Sequence, residues 1–327
     1  MFDDNLGSLY LLYGEERYLL EQDLKKMKKR FGECLLGINY ILIDDSNIDD
    51  LIYDIESPAF GYDKKLIVAK NTGLFKKDGR RKNASPIQET IANFINENID
   101  TINENVVLIF VEDSVDKNDV YNAINKNGQV IEYKELSEQA LFQNLKHITG
   151  LYKVNADNNT IMYLIQICGT NYQLLINEIR KLIEYAGPNG TFTKEDVDKL
   201  AIPQIESIIF DLTDSLGSKN TAKAMEKLEG LIINEEPLLR ILSTLYNHFK
   251  KLYLTRIAME TNQDIAKALE LKPNQMFLVS KYQRQAKAFE LDTLRKILDE
   301  FIELNFNFKM GNIDLEVGLK SILCSYC

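Results

Sequence analysis

The sequence predicts an α/β amino-terminal domain built on a parallel sheet, followed by helical domains. Three observations predict this. Short apolar runs alternate with amphipathic segments up to about residue 133, the strand pattern stops at Ser137, and the segments beyond it carry apolar residues at helical spacing. Strands that are apolar on both faces and alternate with helices are typical of a parallel sheet covered on both sides.

The predicted α/β domain comprises residues 1–136 and contains nine segments. The predicted strands are residues 9–13, 40–43, 66–69, 106–111 and 130–133, and the predicted helices are residues 18–27, 48–55, 86–99 and 120–124. Ligands of such sheets bind at the carboxyl ends of the strands. The connections that follow the strands are therefore the first places to look for a site.

The first strand-to-helix turn lacks the features of a phosphate-binding loop. Such a loop needs glycines that let backbone N–H groups surround the phosphates, and a lysine that supplies charge. Here Gly14 is followed by Glu15 and Glu16, whose carboxylates would repel a nucleotide. The fourth strand ends in Glu112 and Asp113, like the acidic end of a Walker B strand, but it has no phosphate loop to serve. We interpret the domain as a nucleotide-binding architecture without a working site, and we expect no cofactor.

The strand at residues 66–69 leads into the stretch that we select as the candidate site. It consists of Asn71, Thr72, Gly73, Leu74 and Phe75. The first three are turn residues, and a basic, glycine-containing loop follows the apolar pair. Because Leu74 and Phe75 come just past a strand end and beside charged chain, we expect them to be presented to a partner. The alternative is that the pair folds back as a small satellite core.

The rest of the chain is predicted to form two helical domains, at residues 137–203 and 204–327, separated at Pro203. The predicted helices begin at Ser137 and then cover residues 158–168, 172–186, 194–200, 205–216, 221–233, 237–259, 264–269, 276–289, 291–306 and 314–325. The helix that starts at Pro237 is the longest, and one of its faces is apolar over more than four turns. That face fits either a domain core or packing against partner subunits.

Composition and charge narrow the class of protein. The chain of 327 residues is 45% hydrophobic and 27% charged, the balance of a globular protein with two or three domains. Its formal net charge of −10 argues against a general duplex-binding protein, although a local basic patch remains possible. The acidic, polar start is unlike a signal or transit peptide, and the apolar runs are too short to cross a bilayer. We therefore expect a cytoplasmic protein without a membrane partner.

Residues of the kinds that bind metals are few. The four cysteines are Cys34, Cys168, Cys324 and Cys327. The last two form a C-x-x-C without a second ligand pair, so we expect core or free thiols and no metal site. The two histidines, His147 and His248, fall in helical segments, and we expect each to be an ordinary surface or core residue.

Several pieces of the sequence, in their order and spacing, resemble one family over essentially the whole chain. They are residues 9–16 (LYLLYGEE), 66–68 followed by the Leu74–Phe75 pair, 169–175 (GTNYQLL), 177–182 (NEIRKL), 208–212 (IIFDL), 236–242 (EPLLRIL) and 308–311 (FKMG). This pattern resembles the delta subunit of the bacterial replicative clamp loader, part of the DNA polymerase III holoenzyme. Two positions depart from the family pattern: Asn71 stands where Gln is common, and Asn305 stands where Asp is expected.

The resemblance implies a fold, a function and partners. The fold is an AAA+-type domain with a degenerate nucleotide site, a helical lid and a helical collar that joins the other loader subunits, tau/gamma and delta prime. The subunit binds and opens the ring-shaped sliding clamp (the beta subunit) for loading onto primed DNA, and it hydrolyses no ATP itself. Leu74 and Phe75 map to the apolar pair that enters a pocket of the clamp, with Asn71, Thr72 and Gly73 in front. The chain would thus be a non-catalytic subunit of a DNA-directed DNA polymerase.

The loop after the pair is a candidate for electrostatic contacts. Its basic residues are Lys76, Lys77, Arg80, Arg81 and Lys82. They could steer the chain toward an acidic clamp surface or contact primer–template DNA, and either contact would be sensitive to salt. The alternative is an ordinary solvated loop.

Two other functions fit parts of the same sequence. One is an AAA+ ATPase with an atypical nucleotide site, against which the turn at Gly14 argues. The other is a structural adaptor that holds loader subunits together and never engages the clamp. A hydrolase is disfavoured because the G-x-S-x-G nucleophile elbow is absent from the sequence.

Overall fold

The structure of the chain, a computed structural model, describes residues 6–76 and 84–326, without the side chains of residues 84, 85 and 273. It divides into two compact units, one up to Glu135 and one from Leu136 onward. The first unit is α/β and the second is helical, so the predicted fold class is confirmed. The further division of the helical part at residue 203 stays a prediction.

The first unit is built on a sheet of five parallel strands. These are β1 (Leu9–Tyr13), β2 (Tyr40–Ile43), β3 (Lys65–Lys70), β4 (Val106–Glu112) and β5 (Gln129–Glu132). Their order in the sheet is β2-β3-β4-β1-β5, so β4 lies between β3 and β1. The register pairs Lys70 with Val111 and Tyr13 with Glu112. The carboxyl ends of the three central strands therefore meet at one edge of the sheet.

Helices cover both faces of this sheet. They are α1 (Arg17–Phe31), α2 (Leu51–Glu56), α3 (Ala84–Glu97), α4 (Ile99–Asn105) and α5 (Asp119–Asn127). Leu20, Leu24 and Met27 bury α1 against one face, while the other helices contribute to a larger core on the opposite face. The sequence does not predict α4, because Ile102 is the single buried residue of this helix and leaves no apolar period.

The outer edge of β2 is covered by the chain that precedes it. The backbone of Tyr40 accepts a hydrogen bond from Gly37 N at 2.9 Å and donates one to Leu35 O at 3.1 Å. Two residues further along, Leu42 O accepts a hydrogen bond from the side-chain amide of Asn47 at 3.1 Å. Local chain and one side chain thus pair edge groups that a sheet normally leaves free.

The second unit consists of helices. They are α6 (Glu138–Leu151), α7 (Asn158–Cys168), α8 (Tyr172–Ala186), α9 (Lys194–Leu200), α10 (Ile205–Gly217), α11 (Thr221–Ile233), α12 (Leu238–Glu260), α13 (Ile265–Ala268), α14 (Leu278–Ala286), α15 (Leu291–Lys309) and α16 (Leu315–Ser325). The apolar stripe of α12 lies in the core of this unit, where Phe249 contacts Phe289 and Phe301. The interpretation of that stripe as a domain core is therefore confirmed.

Both histidines lie in this unit, and both are ordinary residues as expected. His147 is exposed on α6. His248 is buried on α12, where its Nε2 lies 2.9 Å from the side-chain oxygen of Gln285. The amide nitrogen of Gln285 donates to Phe210 O and Asp214, so its oxygen accepts and His248 Nε2 must carry the proton. Burial lowers the pKa of His248 to about 3.

Candidate functional site

The candidate site is the connection that leaves β3 at the carboxyl edge of the sheet. Asn71 has a left-handed backbone with φ of 51°, and Gly73 follows with φ of 74°. Asn71 N donates to Val111 O at 3.0 Å, which ties the start of the turn to the end of β4. Asn and Gly adopt left-handed conformations most readily, so the sequence supplies the residues that this sharp reversal needs.

The turn directs Leu74 and Phe75 back into the core of the sheet. Leu74 is 2% exposed and Phe75 is fully buried, in the core that contains α2, α3 and α5. The ring of Phe75 packs edge-on against Phe110 of β4, with centroids 5.5 Å apart. The expectation that the pair is presented is therefore wrong for this conformation. The left-handed turn reverses the chain toward apolar surface, and packing there removes both side chains from water.

Hydrogen bonds to the backbone of the pair hold it in this position. The side-chain amides of Gln88 and Asn118 donate to Leu74 O at 2.8 and 2.7 Å. The backbone N–H of Asp116 donates to Phe75 O at 2.7 Å. These donors come from α3 and from the connection between β4 and α5, so two other segments of the unit fix the position of the pair.

A buried carboxylate anchors the front of the turn. Glu112, at the end of β4, is 3% exposed, and one of its oxygens accepts from Thr72 N at 2.8 Å and from Thr72 Oγ1 at 2.7 Å. Burial raises the pKa of this carboxyl, while the hydrogen bonds from Thr72 and the charge of Lys76 oppose the rise. Thr72 Oγ1 also accepts from Leu74 N at 3.3 Å, so Glu112 is linked to the apolar pair through one hydroxyl.

The structure describes one of the five basic candidate residues. Lys76, immediately after the pair, is exposed. The others, Lys77, Arg80, Arg81 and Lys82, lie outside the described residues. Their assignment to clamp or DNA contacts stays a prediction.

The first strand-to-helix turn, the other candidate position at this edge, is filled by the protein itself. Gly14 has φ of 133°, and a Cβ built on it would lie 2.2 Å from Tyr133 O. The backbone N–H of Glu16 donates to the same carbonyl at 3.0 Å, and burial raises the pKa of the Glu16 carboxyl. Arg17 forms an ion pair with Asp113 across the end of β4. Groups that a phosphate loop would turn toward a ligand are used here for internal contacts.

Two observations concern metals and membranes. Among the described residues, histidine, cysteine and acidic side chains form no group of three that could hold a metal ion. Each helix in the described ranges is too short or too polar to span a membrane.

Sequence reasoning identified the turn and the pair but missed the residues that hold them. Glu112 was noted only as the end of an acidic strand, and Gln88 and Asn118 were not noticed. Asn118 carries a detectable signal, because it precedes Asp119 and Val120 as a helix cap would, and its side chain does accept from Tyr121 N at 3.1 Å. Gln88 lies on the surface of a helix and carries no such signal.

The fold and the site together define a class of protein: an α/β domain on a five-stranded parallel sheet, with its first strand-to-helix turn filled by the chain itself, joined to a helical unit. Two sequence models of known families match the chain. Residues 10–134 match "DNA polymerase III, delta subunit", and residues 206–326 match "DNA polymerase III delta subunit, C-terminal domain". The chain belongs to the DNA polymerase III delta subunit family, which has its role in the clamp loader complex of that polymerase.

Individual DNA polymerase III delta subunits and a solved structure are also similar to this chain. The chain is 28% identical to the probable DNA polymerase III subunit delta of Aquifex aeolicus, over 91% of this chain and 87% of that one. It is 22% identical to the DNA polymerase III subunit delta of Bacillus subtilis, over 96% and 91%. Its fold matches the DNA clamp loader delta protein of Bacillus subtilis with a TM-score of 0.71, at 20% identity and covering 98% of this chain and 95% of that chain.

Proposed function

We propose that this chain binds the ring-shaped sliding clamp through Leu74 and Phe75 and opens it for loading onto primed DNA. The observation that carries the proposal is the position of the pair in a member of this family. It lies on a turn at the carboxyl edge of the sheet; Asn71, at the start of the turn, and Lys76, directly after the pair, are exposed. The pair is therefore buried but close to exposed chain, and bringing it out requires the turn to rearrange and the hydrogen bonds from Gln88, Asn118 and Asp116 to break.

Burial of the pair sets an energetic condition on binding. Moving a Leu and a Phe from the core into water costs about 1.5–3 kcal/mol each, and burying them in an apolar pocket returns a similar amount. The cost of leaving the core offsets much of what the pocket returns, so the pair anchors the complex but contacts around it must add to the affinity. If the exposed conformation is a minor one, the apparent affinity is reduced by its population.

Opening of the ring requires no chemistry from this chain. A subunit that binds the open clamp better than the closed one shifts the equilibrium by that difference in affinity. The filled turn at Gly14 supports a chain that does not hydrolyse ATP. Control by ATP would then come from partner subunits of the tau/gamma and delta prime type, held through the helical collar at residues 204–327, with primer–template DNA bound in the assembled complex.

A structural adaptor is the second candidate, and the burial of Leu74 and Phe75 favours it. An adaptor has no need to expose the pair, and the pair would then be part of the core. The two candidates differ in a single measurement, the binding of the isolated chain to the clamp.

The test replaces both residues, Leu74→Ala with Phe75→Ala, and measures binding to the purified clamp of the same organism. We expect binding to be abolished. Because both side chains are buried, the double variant also loses several kcal/mol of stability. A matched control is therefore Ile55→Ala with Ile102→Ala, which opens the same core away from the turn.

The control variant should keep clamp binding at temperatures where both variants are folded by circular dichroism. Normal binding by the Leu74/Phe75 variant would show that the pair is not the clamp-binding element. A wild-type chain that binds loader subunits but no clamp would establish the adaptor function instead.

A further inference from the structure

A polar groove runs between α3 and α5, beside the candidate site. Its volume is about 520 Å³, and Ala92 and Ala123 lie between its two helices. The small side chains of these alanines let the helices approach closely, and longer polar residues form the walls. Since Gln88 and Asn118 line the groove and also donate to Leu74 O, one end of the groove lies at the apolar pair.

Side-chain amides dominate the walls of this groove. Besides Gln88 and Asn118, they belong to Asn93, Asn96 and Asn122. Asn96 is bonded to Asn127 and Ala92. Asn93 and Asn122 are exposed and make no side-chain hydrogen bond to any described residue. Each free amide offers both a donor and an acceptor to a ligand.

These features fit the backbone of an extended peptide. Such a backbone alternates N–H and C=O groups, and amide side chains can satisfy both. The groove follows α3 from Gln88 to Asn96, which at 1.5 Å per residue is about 12 Å. An extended chain rises about 3.3 Å per residue, so the groove accommodates three or four residues.

The charges of the groove argue against nucleic acid. Glu89 and Asp119 line it together with Lys126, so acids outnumber bases. Phosphates would be repelled by this balance, and the lining contains no aromatic side chain on which a base could stack.

We infer that the α3–α5 groove binds an extended polypeptide segment of the partner that receives Leu74 and Phe75. The inference rests on the proposed function, because the partner is taken to be the clamp. It also supplies what that function needs: hydrogen bonds beside the pair, which add affinity that the apolar exchange does not provide.

The experiment compares the full chain with the double variant Asn93→Ala and Asn122→Ala. The probe is the purified clamp of the same organism, and a primer–template DNA is the second probe. Loss of two neutral hydrogen bonds should weaken clamp binding roughly tenfold. The control is Asn125→Ala, an exposed asparagine of α5 outside the groove, which should bind like the wild type.

Each outcome decides between the two claims. Unchanged clamp binding by the groove variant overturns the inference that the groove binds the clamp. If the Leu74/Phe75 variant has lost binding in the same experiment, the proposed function stands. Weakened binding by the groove variant with normal binding by the Leu74/Phe75 variant supports the groove and overturns the role of the pair. A groove variant that loses affinity for DNA and not for the clamp shows a nucleic-acid site and overturns the inference.

Discussion

Two strand-to-helix connections meet at the end of β4, and they are filled in different ways. After β1, the chain at Gly14 packs against the backbone of Tyr133, at a distance that no other residue type allows. After β3, apolar side chains fill the space, and side-chain hydrogen bonds hold them there. The backbone contact at Gly14 cannot be exchanged for a contact with a partner, whereas the side chains of Leu74 and Phe75 can move from one apolar environment to another. The difference indicates that the connection after β3, and not the one after β1, can bind a partner.

The largest expected effect is on Gly14, in the connection after β1. Gly14→Ala places a Cβ against Tyr133 O in a backbone conformation that alanine rarely adopts, and should cost about 3 kcal/mol or more of unfolding free energy. Urea denaturation of the full chain measures it. Gly61→Ala is the control, because Gly61 also has positive φ but open space around it, and it should cost about 1–2 kcal/mol. Equal losses would show that the close approach is unimportant.

A smaller effect is expected at the hydroxyl that joins Glu112 to the pair. Thr72→Val keeps the shape of the side chain and removes its hydrogen bonds, so it should cost about 1–2 kcal/mol of stability and raise clamp affinity. Thr213→Val removes a buried hydroxyl from α10 and serves as the control. Lower stability without a gain in clamp affinity would mean that this hydroxyl does not restrain the pair.

Asn118→Asp removes one restraint on the pair and adds a negative charge at the end of the groove. The carboxylate still caps α5 but can no longer donate to Leu74 O, so the buried position of the pair is weakened. We expect clamp affinity to rise about fivefold, as a restraint worth about 1 kcal/mol implies. Hydrogen exchange of the Leu74 and Asp116 amides should also quicken. Asn220→Asp makes the same change at the cap of α11 and should leave both measurements unaltered.

The smallest effect concerns the charge of Glu112. Because burial raises its pKa, the folded state holds the proton more tightly than the unfolded state. Its contribution to stability is therefore full below about pH 4.5 and declines as pH rises through the folded pKa. Glu112→Gln removes this decline, so the stability of the variant relative to wild type should increase with pH. A constant difference from pH 4 to 8 would indicate that the pKa of Glu112 is the same in the folded and unfolded states.

The sequence predicted the sheet well because its central strands are continuous apolar runs. The segments at residues 66–69 and 106–111 match β3 and β4 within one residue at each end. The turn at Asn71 and Gly73 was also predicted correctly, because Asn and Gly are typical turn residues. The direction of Leu74 and Phe75 was not, because the same Leu-Phe pair after a turn can face either solvent or the sheet. Only the space beside Phe110 and the donors on Gln88 and Asn118 decide it, and these are distant in sequence.

The covered edge of β2 affects how readily copies of the molecule associate with one another. Leu36 and Leu42 are exposed beside that edge, a combination that usually invites strands of neighbouring molecules to add to a sheet. Leu35 and Gly37 already bond to the N–H and C=O of Tyr40, and Asn47 bonds to the C=O of Leu42, so a second chain has few groups left to pair with along this edge. Exposed apolar residues can therefore lie beside β2 without that edge of the sheet pairing readily with the strands of a neighbouring molecule.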